Sequence, residues 1–194
     1  MYRLIGGARN RGFRVMWMLE ELGLDYAVVD AAPGSEEITQ LNPLGKLPAL
    51  VDGDAVLTDS VAIMTYLADK HGQFTAAPGT VDRARQDAMT LWIIDEMDAL
   101  LWAAAKHSFV LPENMRVKDL KSTLKAEFAR NAEILEQRIC GAFLMGDALT
   151  IPDFLAVHCL GWSRVAGFDA LPEAVKAFAK RLRDRPAYRA AAAR

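Results

Sequence analysis

The chain has 194 residues, of which 52% are hydrophobic and 25% charged, with a formal net charge of −2. That balance belongs to a folded protein of one domain or two small ones and excludes a disordered or fibrous chain. Near-neutral charge gives no overall pull toward nucleic acid or anionic lipid. Two cysteines and three scattered histidines make neither a disulfide scaffold nor a metal-binding run. No apolar run reaches bilayer length, and the first residues lack the apolar core of a secretory signal. A cytoplasmic protein, with no nucleic-acid or membrane partner, is expected.

Tyr2–Ile5 reads as a short strand broken by Gly6-Gly7. Phe13, Val15, Met16, Leu19 and Leu22 then recur at helical spacing, and Gly23 is placed to close that helix. Tyr26–Val29 is a second strand, Pro33-Gly34 a turn, and residues 36–41 a short helix. Residues 48–51 and 55–57 read as strands, with Asp52-Gly53 as a hairpin turn. Ser60 precedes Val61, Ile63, Met64 and Leu67, one apolar helix face that runs to His71-Gly72. From Gly79 onward no strand is evident. Helices are expected at 81–107, 116–139, 151–165 and 172–183. The closing Ala-Ala-Ala-Ala-Arg is expected to fray, and the basic run 173–194 reads as a solvated final helix. The order gives an α/β domain at 1–72, a linker at 73–80 and an all-helical domain at 81–194.

Two segments carry chemistry. In Asn42-Pro43-Leu44-Gly45-Lys46-Leu47-Pro48-Ala49-Leu50, Pro48 stands where a strand opens. Proline lacks an amide hydrogen and suits a strand start or edge. A cis bond costs far less before proline than elsewhere. At Leu47-Pro48 it would aim the Leu47 amide and carbonyl outward, toward an extended peptide ligand. An ordinary loop-to-strand proline is the other reading. Leu57-Thr58-Asp59-Ser60 runs directly into a helix. Ser60 is a good N-cap, and free amides at the positive end of a helix suit a carboxylate. Asp59 beside it suits an ammonium group. The pair matches the carboxylate and amine of an amino acid, or simply caps the helix.

Together, and in this element order, the segments resemble the glutathione transferase superfamily, in its bacterial cytosolic form. The family's NPxGKxPxL loop stands here as residues 42–50, and its acid–serine pair before the third helix as Asp59-Ser60. The run 146–153 matches the capping box of its second domain through Thr150 and Asp153, with Pro152 at a tolerant first-turn position. RVMWMLEELG at 14–23 is similar to bacterial members. The resemblance implies a thioredoxin-like domain followed by a helical bundle, assembled as a homodimer. It implies glutathione as co-substrate, no metal, and a small hydrophobic electrophile as second substrate. It assigns Leu47 and Pro48 to the cysteinyl unit of glutathione, Asp59 and Ser60 to the γ-glutamyl end, and Lys46 to the glycyl carboxylate. For Lys46 a solvated lysine is the other reading. Trp102, His107 and Phe109 are the candidates for a second-substrate pocket between the domains. Core packing is the other reading for Trp102, and a structural histidine for His107.

At the thiol-activating position the chain departs from the family. Residues 7–13 hold no Ser, Thr, Tyr or Cys, and Tyr2 comes too early. The usual serine falls on Arg9 or Asn10. Asn10 is the candidate catalytic residue, since its amide can donate to a thiolate. Arg9, Arg11 and the helix start add positive potential, with Arg9 placed at the glutathione site. A helix cap at Asn10 and solvated arginines are the other reading. The function expected is conjugation of glutathione thiolate to an electrophile. The alternatives are a glutathione-dependent disulfide reductase or peroxidase, or a non-catalytic glutathione-binding regulatory protein of the same fold.

Overall fold

Four short strands make one sheet: β1 (Tyr2–Ile5), β2 (Tyr26–Val29), β3 (Ala49–Asp52) and β4 (Ala55–Thr58), in the order β2-β1-β3-β4. The computed structural model describes residues 1–194. β1 is parallel to β2 and antiparallel to β3, and β3 is antiparallel to β4. Parallel neighbours need a crossover, which α1 (Gly12–Glu21) provides. Gly23 closes α1 as its sequence position indicated. It is left-handed at φ 64, and Leu24 N–H reaches back to the Leu19 carbonyl at 3.1 Å. The hairpin turn is Gly53-Asp54, one residue later than expected, because Asp52 still pairs with Ala55 as a rung of the ladder. A four-residue helix, α2 (Glu36–Thr39), buries Ile38 against Ile5 and Ala49. α3 (Ser60–His71) buries Ile63, Met64, Leu67 and Ala68. This is the thioredoxin-like arrangement that the resemblance implied.

Every residue of α1 from Gly12 to Leu19 is buried, so α1 needs cover on more than its sheet face. The cover comes from far along the sequence. One compact unit comprises Met1–Pro78 together with Arg183–Arg194, and the other comprises Gly79–Leu182. In the first, α9 (Pro186–Ala192) sets Tyr188 edge-on to both Phe13 and Trp17, at 5.0 Å between ring centroids in each case. Arg185 forks onto Glu21 at 2.6 and 2.7 Å, and Arg194 donates to Glu20 at 2.7 Å. The alanine run expected to fray is therefore helical through Ala192, and Ala191 is buried. Alanine is a strong helix former, and Tyr188 supplies the anchor that the alanines lack. The expected helical domain at 81–194 gives up its last residues to the first unit.

The regular elements of the second unit are all helices, with α4 (Val81–Ile93), α5 (Ala99–Ala105), α6 (Leu120–Gln137), α7 (Ile151–Ala166) and most of α8 (Glu173–Arg183). The single helix expected at 81–107 is broken by π-helical turns at Ile94–Asp98 and Lys106–Val110. In the second, Leu111 N–H reaches the Lys106 carbonyl at 2.9 Å. α7 is buried almost all round and starts from the Thr150–Asp153 capping box, as the sequence indicated. No helix is long and apolar enough to cross a membrane.

Candidate functional site

The turn after β1 and the loop before β3 pack against each other. A Cβ placed on Gly6 would lie 3.3 Å from both Asn10 Oδ1 and Pro48 Cβ, a tight fit that would press the two segments apart by a few tenths of an ångström. Gly6 also has φ 146. Asn10 Oδ1 accepts from Gly12 N–H at 2.8 Å and Gly7 N–H at 3.3 Å. Two backbone donors fix the amide's orientation. Its oxygen is committed to the turn, and its NH2 remains able to donate elsewhere. The oxygen braces the turn ahead of α1, whose N-cap is Arg11 rather than Asn10, and the nitrogen is the available donor.

The loop at 42–50 is held by Asn42, whose Nδ2 donates to the Lys46 carbonyl at 2.9 Å and whose Oδ1 accepts from Leu44 N–H at 3.2 Å. The Leu47-Pro48 bond is cis. Pro48 is buried at the entry to β3, while Lys46 is exposed. The Leu47 N–H and carbonyl take no part in the chain's own hydrogen bonds.

At the start of α3 the roles differ from those expected. Asp59, not Ser60, is the N-cap. Its Oδ1 accepts from Val61 N–H at 2.8 Å and Ala62 N–H at 3.2 Å. Asp59 has φ 70, a conformation that non-glycine residues rarely adopt. Ser60 is already the first helical residue and is buried. Its Oγ accepts from Arg14 Nη1 at 3.3 Å, and Arg14 is fully buried on α1. Arg14 is a further candidate site residue, one that its sequence position did not single out. Its only signal was one cation inside an apolar helix face, between Phe13 and Val15. Burying a charge is costly unless it is satisfied, and Ser60 is one of the groups that satisfies it. Because Ser60 Oγ accepts from a cation, its own hydroxyl hydrogen is directed elsewhere. Gly6 thus joins Pro48 to Asn10, and Arg14 on the same helix joins this turn to Ser60. Arg9 is exposed in the turn.

The remaining candidates lie in the helical unit. His107 lines a cavity of about 300 Å3 beside the second π-helical turn. Trp102 is half-buried on α5, Phe109 is exposed, and neither lines that cavity. Asp98, His158 and Cys159 bring a carboxylate oxygen, a ring nitrogen and a sulfur within 4.8 Å of one another, a grouping able to hold a metal ion. Here the Cys159 thiol donates to Asp98 Oδ2 at 3.9 Å.

Two family models match in order along the chain. They are the glutathione S-transferase N-terminal domain over residues 4–69 and the C-terminal domain over residues 97–186. Glutathione S-transferase theta-1 of Homo sapiens is 31% identical over 148 residues, covering 71% of this chain and 61% of the human protein. Glutathione S-transferase 4 of Zea mays is 31% identical over 199 residues, covering 90% of this chain and 83% of the maize protein. Among solved structures, a glutathione transferase from Methylococcus capsulatus superposes with a TM-score of 0.86 at 24% identity, over 100% of this chain and 98% of that one. URE2P8 of Phanerochaete chrysosporium, solved with oxidized glutathione, superposes at 0.83 and 24% identity, over 97% and 92% of the two chains. With two family models matching in order and a relative 31% identical over 83% of its length, the chain belongs to the glutathione transferase superfamily.

Proposed function

We propose that the chain binds glutathione on its first unit and transfers the thiolate to a small hydrophobic electrophile. The observation that carries this reading is the convergence of Asn10, Leu47-Pro48 and Ser60 through Gly6 and Arg14. The unengaged Leu47 N–H and carbonyl suit the cysteinyl peptide unit. The Ser60 hydroxyl donates to the γ-glutamyl carboxylate at the positive end of α3. The second carboxylate oxygen of Asp59 takes the γ-glutamyl ammonium. Lys46 faces the glycyl carboxylate, and Arg9 adds positive potential. The Asn10 NH2 donates to the sulfur and favours the thiolate. The thiolate then forms a carbon–sulfur bond as the electrophile's leaving group departs with its electron pair.

Removing one such donor raises the pKa of the bound thiol by about one unit, or ~1.4 kcal/mol. The thiolate absorbance of bound glutathione, followed against pH for wild type and Asn10→Ala, measures this directly. Coincident curves would leave Asn10 as a brace of the turn only. The lack of any hydroxyl or thiol in residues 6–12 favours one second reading, a non-catalytic glutathione-binding regulatory protein of the same fold. Assaying the purified protein with an aryl halide, a hydroperoxide and a mixed disulfide separates the two. Glutathione binding without turnover in all three assays supports a regulatory role. We further propose a homodimer, for which light scattering at micromolar concentration gives twice the 21.3 kDa chain mass. A scattering mass equal to one chain overturns it.

A further inference from the structure

Asp98 closes the π-helical turn Ile94–Asp98, in which Ala99 N–H reaches back to the Ile94 carbonyl. Widened turns of this kind occur frequently at functional sites. Here the turn leaves two successive residues, Met97 and Asp98, buried. His158 and Cys159 follow each other on α7, which packs against that turn. The Asp98 carboxylate, the His158 ring and the Cys159 sulfur each bring one donor atom within 4.8 Å of the other two. Asp98 and Cys159 are buried and His158 is half-buried, so the imidazole is the outermost member of the group. The Cys159 thiol donates to Asp98 Oδ2 at 3.9 Å, and a thiol is a weak donor. A divalent cation in place of that proton satisfies thiolate, imidazole and carboxylate together. Zinc-type bonds of ~2.0–2.3 Å at tetrahedral angles set ligand atoms about 3.3–3.6 Å apart. The sulfur–oxygen pair, at 3.9 Å, needs to close by only about 0.3 Å to meet that spacing. Thiolate and carboxylate together cancel the charge of a divalent ion, so no net charge enters the core.

We propose that Asp98, His158 and Cys159 bind one divalent cation of the zinc class, with water as the fourth ligand. Sulfur and imidazole select zinc or cobalt over magnesium and calcium, which take oxygen ligands. On binding, the Cys159 S–H bond breaks, its proton leaves to solvent and a metal–sulfur bond forms, with no change of oxidation state. The bound ion ties α7 to the π-helical turn. The family resemblance implies no metal, and the site lies wholly within Gly79–Leu182, so it does not depend on the glutathione reading.

The probe is cobalt(II), titrated into chelator-stripped protein with no glutathione present. One ion per chain gives a near-ultraviolet thiolate-to-cobalt band and the intense visible bands of tetrahedral cobalt. Zinc displaces the cobalt, and millimolar magnesium does not. Cys140 is the other thiol of the chain and is exposed, so Cys140→Ser is the control and keeps the full signal. Cys159→Ser abolishes the thiolate band. His158→Gln weakens cobalt binding by at least the ~10-fold that loss of an outer partner of a metal ligand costs. Zinc raises the Tm of the wild type, since the ion binds the folded chain, and does not raise that of Cys159→Ser. Because His158 is half-buried, its variant keeps the test open where a serine at the buried position disturbs the fold. Absence of the thiolate band in the wild type, its loss in Cys140→Ser, or wild-type affinity in His158→Gln overturns the proposal.

Discussion

Asp153→Ala lowers the stability of the helical unit by about 3–4 kcal/mol near pH 4, read from denaturant unfolding. Asp153 is fully buried. Its Oδ1 accepts from Leu144 N–H at 2.8 Å, and its Oδ2 accepts from Thr150 N–H at 2.8 Å and Thr150 Oγ at 3.0 Å. Alanine leaves two buried backbone amides without an acceptor, each costing ~1–3 kcal/mol, and removes half of the capping box. Burial pushes the carboxyl up to about 6, against the pull of those donors. The native state therefore holds a proton that the unfolded chain releases at lower pH. The group's contribution is full below the ordinary carboxylate range and is lost as pH rises through about 6. The gap between wild type and variant is accordingly widest near pH 4 and narrows toward pH 7. A variant as stable as wild type at pH 4 overturns the assignment.

Arg14→Met weakens glutathione binding at least ~10-fold by calorimetry, or about 1.4 kcal/mol. The effect arises at Ser60. Arg14 Nη1 holds the hydroxyl oxygen at 3.3 Å and leaves its hydrogen free to meet the ligand carboxylate. A hydrogen bond to a charged group contributes ~1.5–3 kcal/mol. Methionine replaces the stem of the side chain but neither its charge nor its donor. Lysine restores the charge with a different donor geometry, so Arg14→Lys falls between the two. Ser60→Ala gives a loss of the same order, and the double variant loses little more, since both residues act through one bond. A glutathione analogue lacking the γ-glutamyl α-carboxylate binds wild type and Arg14→Met equally. If glutathione itself also binds both equally, and melting shows the variant folded, Arg14 serves packing alone.

What could be read from the sequence was local chemistry. Gly23 ends α1 because a left-handed residue is needed there. The Thr150–Asp153 spacing starts α7, and Pro48 marks the entry to β3. Each signal lies within a few residues of its effect. Where sequence reasoning stopped, the cause lay at long range. Arg14 resembles a surface cation until α3 brings Ser60 to it, 46 residues along the chain. Asp59 and Ser60 exchange the expected capping role because of the backbone angle at Asp59, which composition does not reveal. The π-helical turns at Ile94–Asp98 and Lys106–Val110 keep a helical pattern of apolar residues, and periodicity over 81–107 does not resolve them.

The pairing of Arg185 with Glu21 spans 164 residues. During synthesis at ~5–20 residues per second, α1 leaves the ribosome roughly 8–30 s before α9 can reach it. Throughout that interval Phe13 and Trp17 lack Tyr188, and the nascent first unit presents an uncovered aromatic face. Until residue 188 emerges, nothing from α9 covers that face. A chain truncated before Pro186 is expected to bind a hydrophobic dye more strongly than the full chain, because Phe13 and Trp17 then lack Tyr188.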